Sequence, residues 1–231
     1  MIQAIIFDLD NTLYAYDPAH AAGFAAVTEY AAAQLGLAPE RFRSLHREAD
    51  RVLRRHAGED AAAIHSRLIR YQLLLEGLGL TIAHAPRMEE VYWTAFFAEV
   101  RPEPGVRETL SALRERGCRL GVGTNMTALQ QFEKLRRLGL TELADFLVSS
   151  EEVSAEKPDG RLFACCVEKA GCPAGDCLFV GDDAQKDILG ALSAGLRPVY
   201  FERKPGAALP AGVPVIRSIS ELPELLEREE A

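Results

Sequence analysis

From Arg101 onward the sequence alternates between short apolar runs and amphipathic stretches, and that alternation leaves few architectures open. Pro104 and Gly105 open a helix carrying Val106, Leu110 and Leu113, and Gly117 closes it. Arg119 to Gly123 reads as a strand ending in Thr124-Asn125. A helix from about Thr127 to Leu138 follows, with Leu129, Phe132 and Leu135 as its expected inward face. Phe146 to Ser149 is a short strand, the next loop carries Glu156-Lys157-Pro158-Asp159-Gly160, and Arg161 to Ala170 is helical. Cys177 to Gly181 is a strand followed at once by Asp182-Asp183 and a helix through Gly190 to Ala194. Pro198 to Phe201 and Val213 to Ile216 complete the strands, and a last helix starts near Ser220. Alternation of this kind specifies an α/β fold with a doubly wound parallel sheet, Rossmann-like in layout.

One further strand lies at the other end of the chain. Ile2 to Phe7 is apolar, rich in β-branched and aromatic residues, and free of proline and glycine, as a buried parallel strand should be. Asp8, Asp10 and Thr12 follow at alternate positions. On an extended chain residues two apart point the same way, so two carboxylates and a hydroxyl are expected to share one small volume. In open α/β sheets the crevice beyond the carboxyl ends of the strands is where ligands sit. Two carboxylates that close repel one another unless a cation lies between them. Taken alone, the stretch fits a turn cluster equally well, since Asp, Asn and Thr are turn formers.

Between that strand and Arg101 only helical periodicity is seen. Phe24, Val27, Ala31 and Leu35 form one face, Phe42, Leu45, Ala49, Val52 and Leu53 the next. Ile64, Leu68, Tyr71 and Leu75 form a third, and Val91, Tyr92, Ala95 and Phe96 a fourth. Amphipathic helices with short joints make a small bundle. The expected organisation is a core of residues 1–15 and 101–231 interrupted by a small all-helical domain at 16–100. Arg41, Arg43, Arg47, Arg51, Arg54, Arg55, Arg67 and Arg70 make its middle helices cationic. They read as a solvated face, with Asp50 and Arg54 spaced for an i,i+4 pair, in preference to a clamp for an anion. Tyr71, Tyr92, Trp93, Phe96 and Phe97 read as bundle core in preference to a stacking platform for a nucleobase.

A net charge of −8 over 231 residues argues against broad contact with nucleic acid polymers or anionic membranes. It leaves room for a small anionic substrate, since a metal and one or two local cations override a distant field. No apolar run approaches a membrane span and no leader pattern precedes the first strand, so cytoplasmic residence is the expectation. The five cysteines, Cys118, Cys165, Cys166, Cys172 and Cys177, lack zinc-like spacing and read as buried thiols. The histidines all fall in the helical insert, at spacings that make no metal site. Oligomeric state is left open between monomer and homodimer.

The polar groups at the strand ends form an ordered set: Asp8-Leu9-Asp10-Asn11-Thr12, Val122-Gly123-Thr124-Asn125, Lys157-Pro158, and Gly181-Asp182-Asp183 with Asp187, Gly190 and Ala191 beyond. This set resembles the haloacid dehalogenase superfamily of aspartate-nucleophile phosphotransferases, and the helical insert sits where that family places an all-helical cap. The resemblance implies that Asp8 is the nucleophile and Asp10 the acid/base. It also implies Mg²⁺ as cofactor, held by Asp8, Asp182 and the backbone carbonyl of Asp10.

The residue chemistry agrees. A phosphomonoester dianion repels a carboxylate, so attack needs neutralising charge, and Mg²⁺ prefers oxygen ligands from one or two carboxylates plus substrate phosphate. Lys157 supplies a point charge to the phosphoryl oxygens. The Thr124 hydroxyl and the amides around Thr124 and Asn125 suit a phosphoryl group at a helix start. Among the later acids, Asp182 is the expected direct ligand; Asp187 is spaced to orient Lys157, Asp183 is support or a helix cap, and which of these two backs or joins the metal is left open. A second aspartate at Asp10 favours phosphoryl chemistry, because a halide leaving group needs no proton. The expectation is therefore a Mg²⁺-dependent phosphatase of small phosphorylated metabolites working through an aspartyl-phosphate. The rivals are a phosphomutase and a non-catalytic binding protein.

Overall fold

The computed structural model describes residues 1–230, and the chain folds as two compact units, one of residues 1–15 and 101–230, the other Tyr16–Val100. The first unit holds six strands, β1 (Ala4–Phe7), β2 (Arg119–Thr124), β3 (Phe146–Ser149), β4 (Cys177–Gly181), β5 (Arg197–Phe201) and β6 (Val215–Ile216). In chain order the α-helices are α1 (Tyr16–Leu35), α2 (Pro39–Ala57), α3 (Arg67–Gly77), α4 (Ala85–Glu99), α5 (Val106–Glu115), α6 (Ala128–Leu138), α7 (Ser150–Val153), α8 (Gly160–Ala170), α9 (Gly190–Ser193) and α10 (Leu222–Glu230). Among the described residues no helix is long and apolar enough to cross a membrane.

The sheet is parallel throughout, in the order β3-β2-β1-β4-β5-β6. Its central strand is the most apolar one, and Ile5, Ile6 and Phe7 are buried on both faces as that position requires. Strand order reverses beside β1, which makes the β1/β4 boundary the topological switch point where a ligand crevice opens. Register then decides what faces it. Phe7 pairs with Val122 on one side and Val180 on the other, so Asp8 lies one residue past the ladder, level with Gly123 and Gly181. The Asp8 N–H still donates to the Val180 carbonyl at 2.8 Å.

The structure corrects several expectations. β1 stops at Phe7, and the chain turns: the N–H groups of Thr12 and Leu13 both donate to the Leu9 carbonyl, and Asn11 is left-handed at φ 65°. Thr12 therefore meets Asp8 across a turn and not by strand alternation. On α6, Leu129 and Phe132 are 74% and 52% exposed, while Gln131 and Lys134 point inward with Leu135 and Leu138. Ser150 to Val153, expected as loop, is a helical turn capped by the Ser149 side chain, which accepts from Glu152 N. The helix after Asp183 begins with π-helical geometry over Ala184–Leu189 before α9. A capping box of Ser218 and Glu221 delays the last helix to Leu222.

In the helical unit Val27, Phe42, Leu45, Leu53, Leu74, Leu75, Met88 and Phe96 form the interior. Tyr71 and Tyr92 are buried with them. Here too one face is rotated: Leu68 is exposed and Arg67 turns inward at 5% exposure. Its guanidinium donates to the hydroxyls of Tyr16 at 2.9 Å and Tyr92 at 2.7 Å, and lies 4.1 and 4.5 Å from the ring centres of Tyr92 and Trp93. The arginines are thus not one solvated face. Arg41, Arg43, Arg47, Arg51 and Arg55 are exposed, but Arg54 and Arg70 both pair with Asp50, at 3.0 and 2.7 Å. Burial, reinforced by Arg67 and Arg70, pushes His20 down to about 4. Burial, Arg70 and Arg67 likewise push His46 down to about 3, so both imidazoles are neutral near pH 7.

Candidate active site

Asp8 is 6% exposed, and each of its carboxylate oxygens has a partner. Lys157 Nζ donates to Oδ1 at 2.5 Å, and Thr12 Oγ1 donates to Oδ2 at 3.3 Å. Lys157 is itself 4% exposed and also donates to Asp187 Oδ1 at 2.7 Å and to the Gly123 carbonyl at 3.2 Å. Its backbone N–H donates to Asn125 Oδ1 at 2.8 Å, so the loop after β3 is fastened to the end of β2 by the Asn125 side chain.

Asp182 leaves β4 beside Asp8. Carboxylate oxygens of Asp8, Asp182 and Asp187 all lie within 4.8 Å of one another. Three acids and one ammonium make an electrostatically incomplete group. Burial above all, then Asp187 and Asp182, raise the Asp8 carboxyl from 3.8 to about 8, against the pull of Lys157. Burial and then Asp187 raise Asp182 to about 7. Burial alone would lower the Lys157 ammonium pKa, but Asp187 and Asp8 outweigh it and hold the ammonium charged. Oxygen donors converging with a deficit of positive charge are what a hard divalent cation needs, so the residues present fit Mg²⁺.

Asp187 and Asp183 do different things. Asp187, 1% exposed, spans Lys157 and the Asp183 N–H, which donates to its Oδ2 at 3.0 Å. Asp183 Oδ1 accepts from the N–H groups of Gln185 and Lys186, both at 2.9 Å, and caps the turn. A β-carbon at position 181 would stand 2.3 Å from Asp187 Oδ2. Gly181→Ala is therefore expected to displace Asp187 from Lys157 and lower turnover about 10²-fold with the circular dichroism spectrum retained.

Thr124 is 1% exposed, and its hydroxyl is engaged locally, accepting from Gln131 Nε2 at 2.7 Å and donating to the Asn125 carbonyl at 3.3 Å. Asp10 points to a different set of partners from Asp8. Lys134 Nζ donates to both its oxygens at 2.7 Å, and Tyr14 donates its hydroxyl to Oδ1 at 2.5 Å. Lys134 and Gln131 were missed by sequence reasoning. Their spacing with Leu135 and Leu138 is the i, i+3, i+4, i+7 pattern of one helix face, and that was the available signal. Arg203 braces the same turn, donating to the Asn11 carbonyl and to Glu103 Oε1, each at 2.6 Å.

Known proteins of similar sequence and fold include several phosphatases. The chain is 36% identical to the ribulose-1,5-bisphosphate 5-phosphatase of Halopiger xanaduensis, over 87% of this chain and 85% of that one. It is 33% identical to the glyceraldehyde 3-phosphate phosphatase of Methanothermobacter thermautotrophicus, over 98% of this chain and all of the relative. Among solved structures, a 2-haloacid dehalogenase from Pseudomonas syringae superposes with a TM-score of 0.81 at 29% identity, over 99% of this chain and 100% of that one. Residues 2–195 match the family of haloacid dehalogenase-like hydrolases. With that match running from β1 through β4 and these relatives along most of its length, the chain belongs to the haloacid dehalogenase-like hydrolases.

Proposed function

We propose that this hydrolase is a Mg²⁺-dependent phosphatase of small phosphomonoesters, with Asp8 as the nucleophile. The observation that carries the reading is the group of buried Asp8, Lys157 and Asp187 with half-buried Asp182, drawn from the segments that follow β1, β3 and β4. Asp8 attacks phosphorus, displacing the alkoxide and giving an aspartyl-phosphate, which divides one hard displacement into two easier ones. Lys157 and Thr12 hold its two oxygens and fix the attacking geometry. Lys157 remains charged throughout and offsets the phosphoryl anion. Asp10 gives its proton to the departing alkoxide and then takes one from the water that cleaves the acyl phosphate. Asp187 keeps Lys157 in place. Asp8 and Asp182 would hold Mg²⁺ together with the Asp10 carbonyl; when bound, the ion neutralises phosphoryl charge. The backbone amides near Thr124 and Asn125 receive the phosphoryl oxygens, while the Asn125 side chain holds the Lys157 loop. The unit Tyr16–Val100 serves as the cap that selects the leaving group. Relatives named for ribulose 1,5-bisphosphate, glyceraldehyde 3-phosphate and phosphoglycolate favour a small sugar or hydroxy-acid phosphate as substrate.

A second reading, 2-haloacid dehalogenation, draws on the 29%-identical dehalogenase structure. Asp10 speaks against it, because halide departs without a proton. Both are decided by one screen of sugar phosphates, phosphoglycolate, nucleoside monophosphates and 2-haloacids, run with Mg²⁺ and with a chelator. Phosphate release from at least one ester, lost on chelation and restored by Mg²⁺, is expected. Halide release without phosphate release would overturn the proposal, as would isomerised ester with little free phosphate.

A further inference from the structure

α6 carries two polar side chains into the interior, and neither is needed as nucleophile or ligand. Lys134 has no solvent exposure. Its ammonium grips both oxygens of Asp10 at 2.7 Å and lies 3.5 Å from Met126 Sδ. Tyr14, equally buried, adds its 2.5 Å hydrogen bond to the same carboxylate, and its ring centre is 5.9 Å from the ammonium. Asp10 itself keeps 26% side-chain exposure, so the clamped side chain is still reached by solvent. One turn earlier on the helix, Gln131 ties Thr124 Oγ1 at 2.7 Å and the Asn125 carbonyl at 2.9 Å.

This is an expensive arrangement if packing is its only purpose. Lysine is almost never fully buried unless paired, and replacing a buried ion pair by apolar side chains is often neutral or stabilising. The neighbouring backbone is also strained: Met126 sits at φ 111°, where a side chain is seldom found, with its N–H held by Ser150 Oγ at 2.8 Å. An ammonium donating to both oxygens and a tyrosine hydroxyl on one of them restrict the carboxylate's rotamers. A group that must protonate a leaving oxygen needs that restriction, because general acid catalysis depends first on geometry.

We propose that Lys134, assisted by Tyr14, is the positioning residue of Asp10: it aims the carboxyl at the leaving oxygen and touches no substrate. The inference rests on the acid/base role given to Asp10 above. Lys134 and Tyr14 exchange no proton with substrate; Asp10 alone gives one up as the P–O bond breaks.

The test uses full-length Lys134→Met and Tyr14→Phe with Mg²⁺ and two substrates. One is p-nitrophenyl phosphate, whose leaving group departs unprotonated; the other is the best alkyl phosphate of the screen. Because kcat/KM reports steps up to phosphoryl transfer, only the alkyl ester should need an aimed acid. Lys134→Met is expected to lose about 10²-fold in kcat/KM on the alkyl ester and less than about 5-fold on the aryl ester. Tyr14→Phe, which leaves the ion pair in place, is expected to lose about 10-fold on the alkyl ester alone. Equal fractional losses on both esters, or no loss, would overturn the inference. If Lys134→Met does not fold, Tyr14→Phe decides by the same ratio. Failure of the underlying reading looks different: wild type would release no phosphate, or Asp8→Asn would remain active.

Discussion

Asp8→Asn is expected to lower phosphate release by about 10⁴-fold or more and, in the same protein without metal, to raise the melting temperature. The first effect follows from the proposed attack, since an amide is a poor nucleophile; its oxygen still accepts from Lys157, while its NH2 takes the place of the oxygen that Thr12 faces. The second follows from charge. Burial first, then Asp187 and Asp182, raise the Asp8 carboxyl to about 8, so its proton is bound more tightly in the folded chain than at the ordinary 3.8. The sign is that of a raised acid: its favourable contribution is complete below pH 3.8 and fades as pH rises toward 8. Asparagine has no such titration. Its thermal advantage over wild type should therefore be small in mild acid and grow toward pH 8, read by calorimetry with chelator present. An inactive variant that melts lower at every pH would mean that Asp8 is structural.

Lys157→Met should be the most damaging change to stability, with a large loss of activity beside it. It removes the ammonium that pairs with both Asp8 and Asp187, which are 6% and 1% exposed. Breaking a buried pair by deleting one partner costs about 3–5 kcal/mol, because a charge is left uncompensated. At this chain length that is about 10 °C in melting temperature. The lysine's own raised pKa means that its contribution is fully present below 10.5 and is lost only as pH climbs through the higher folded value, so at neutral pH all of it is at stake. In the variant the orphaned acids relieve themselves by taking up protons. The deficit against wild type should shrink on acidification, and denaturant melts at neutral and mildly acidic pH measure it. Turnover should fall about 10³-fold with the best substrate of the screen, since both the phosphoryl charge and the aim of Asp8 are lost. A deficit that widens on acidification would contradict the assignment of the cluster.

How much of this was legible in the sequence depends on what kind of residue did the work. Asp8, Asp182 and Lys157 could be read because each follows an apolar run that a parallel sheet must bury. The ends of such runs are brought to one edge by topology alone. Thr12 came out on Asp8 for a different reason than alternation, since the turn at Leu9 and the left-handed Asn11 return the chain after one helical spacing. Lys134 was passed over and Arg67 was placed on a solvated face, because binary patterning counts any cation as outward. Leu129, Phe132 and Leu68 looked like the core in their place, yet all three are exposed. Burial of a charge depends on partners remote in sequence, Asp10 for Lys134 and the hydroxyls of Tyr16 and Tyr92 for Arg67, and no local periodicity encodes those.

Tyr14 and Pro102 form an antiparallel bridge, and the Glu103 N–H donates to the Leu13 carbonyl at 2.9 Å. The polypeptide thus departs from the sheet-bearing unit and comes back to it through one doorway. The strand ladder closes without the residues threaded between those two. Trimming or exchanging the residues in between, with the Tyr14–Pro102 pairing kept, is expected to leave the sheet-bearing unit folded.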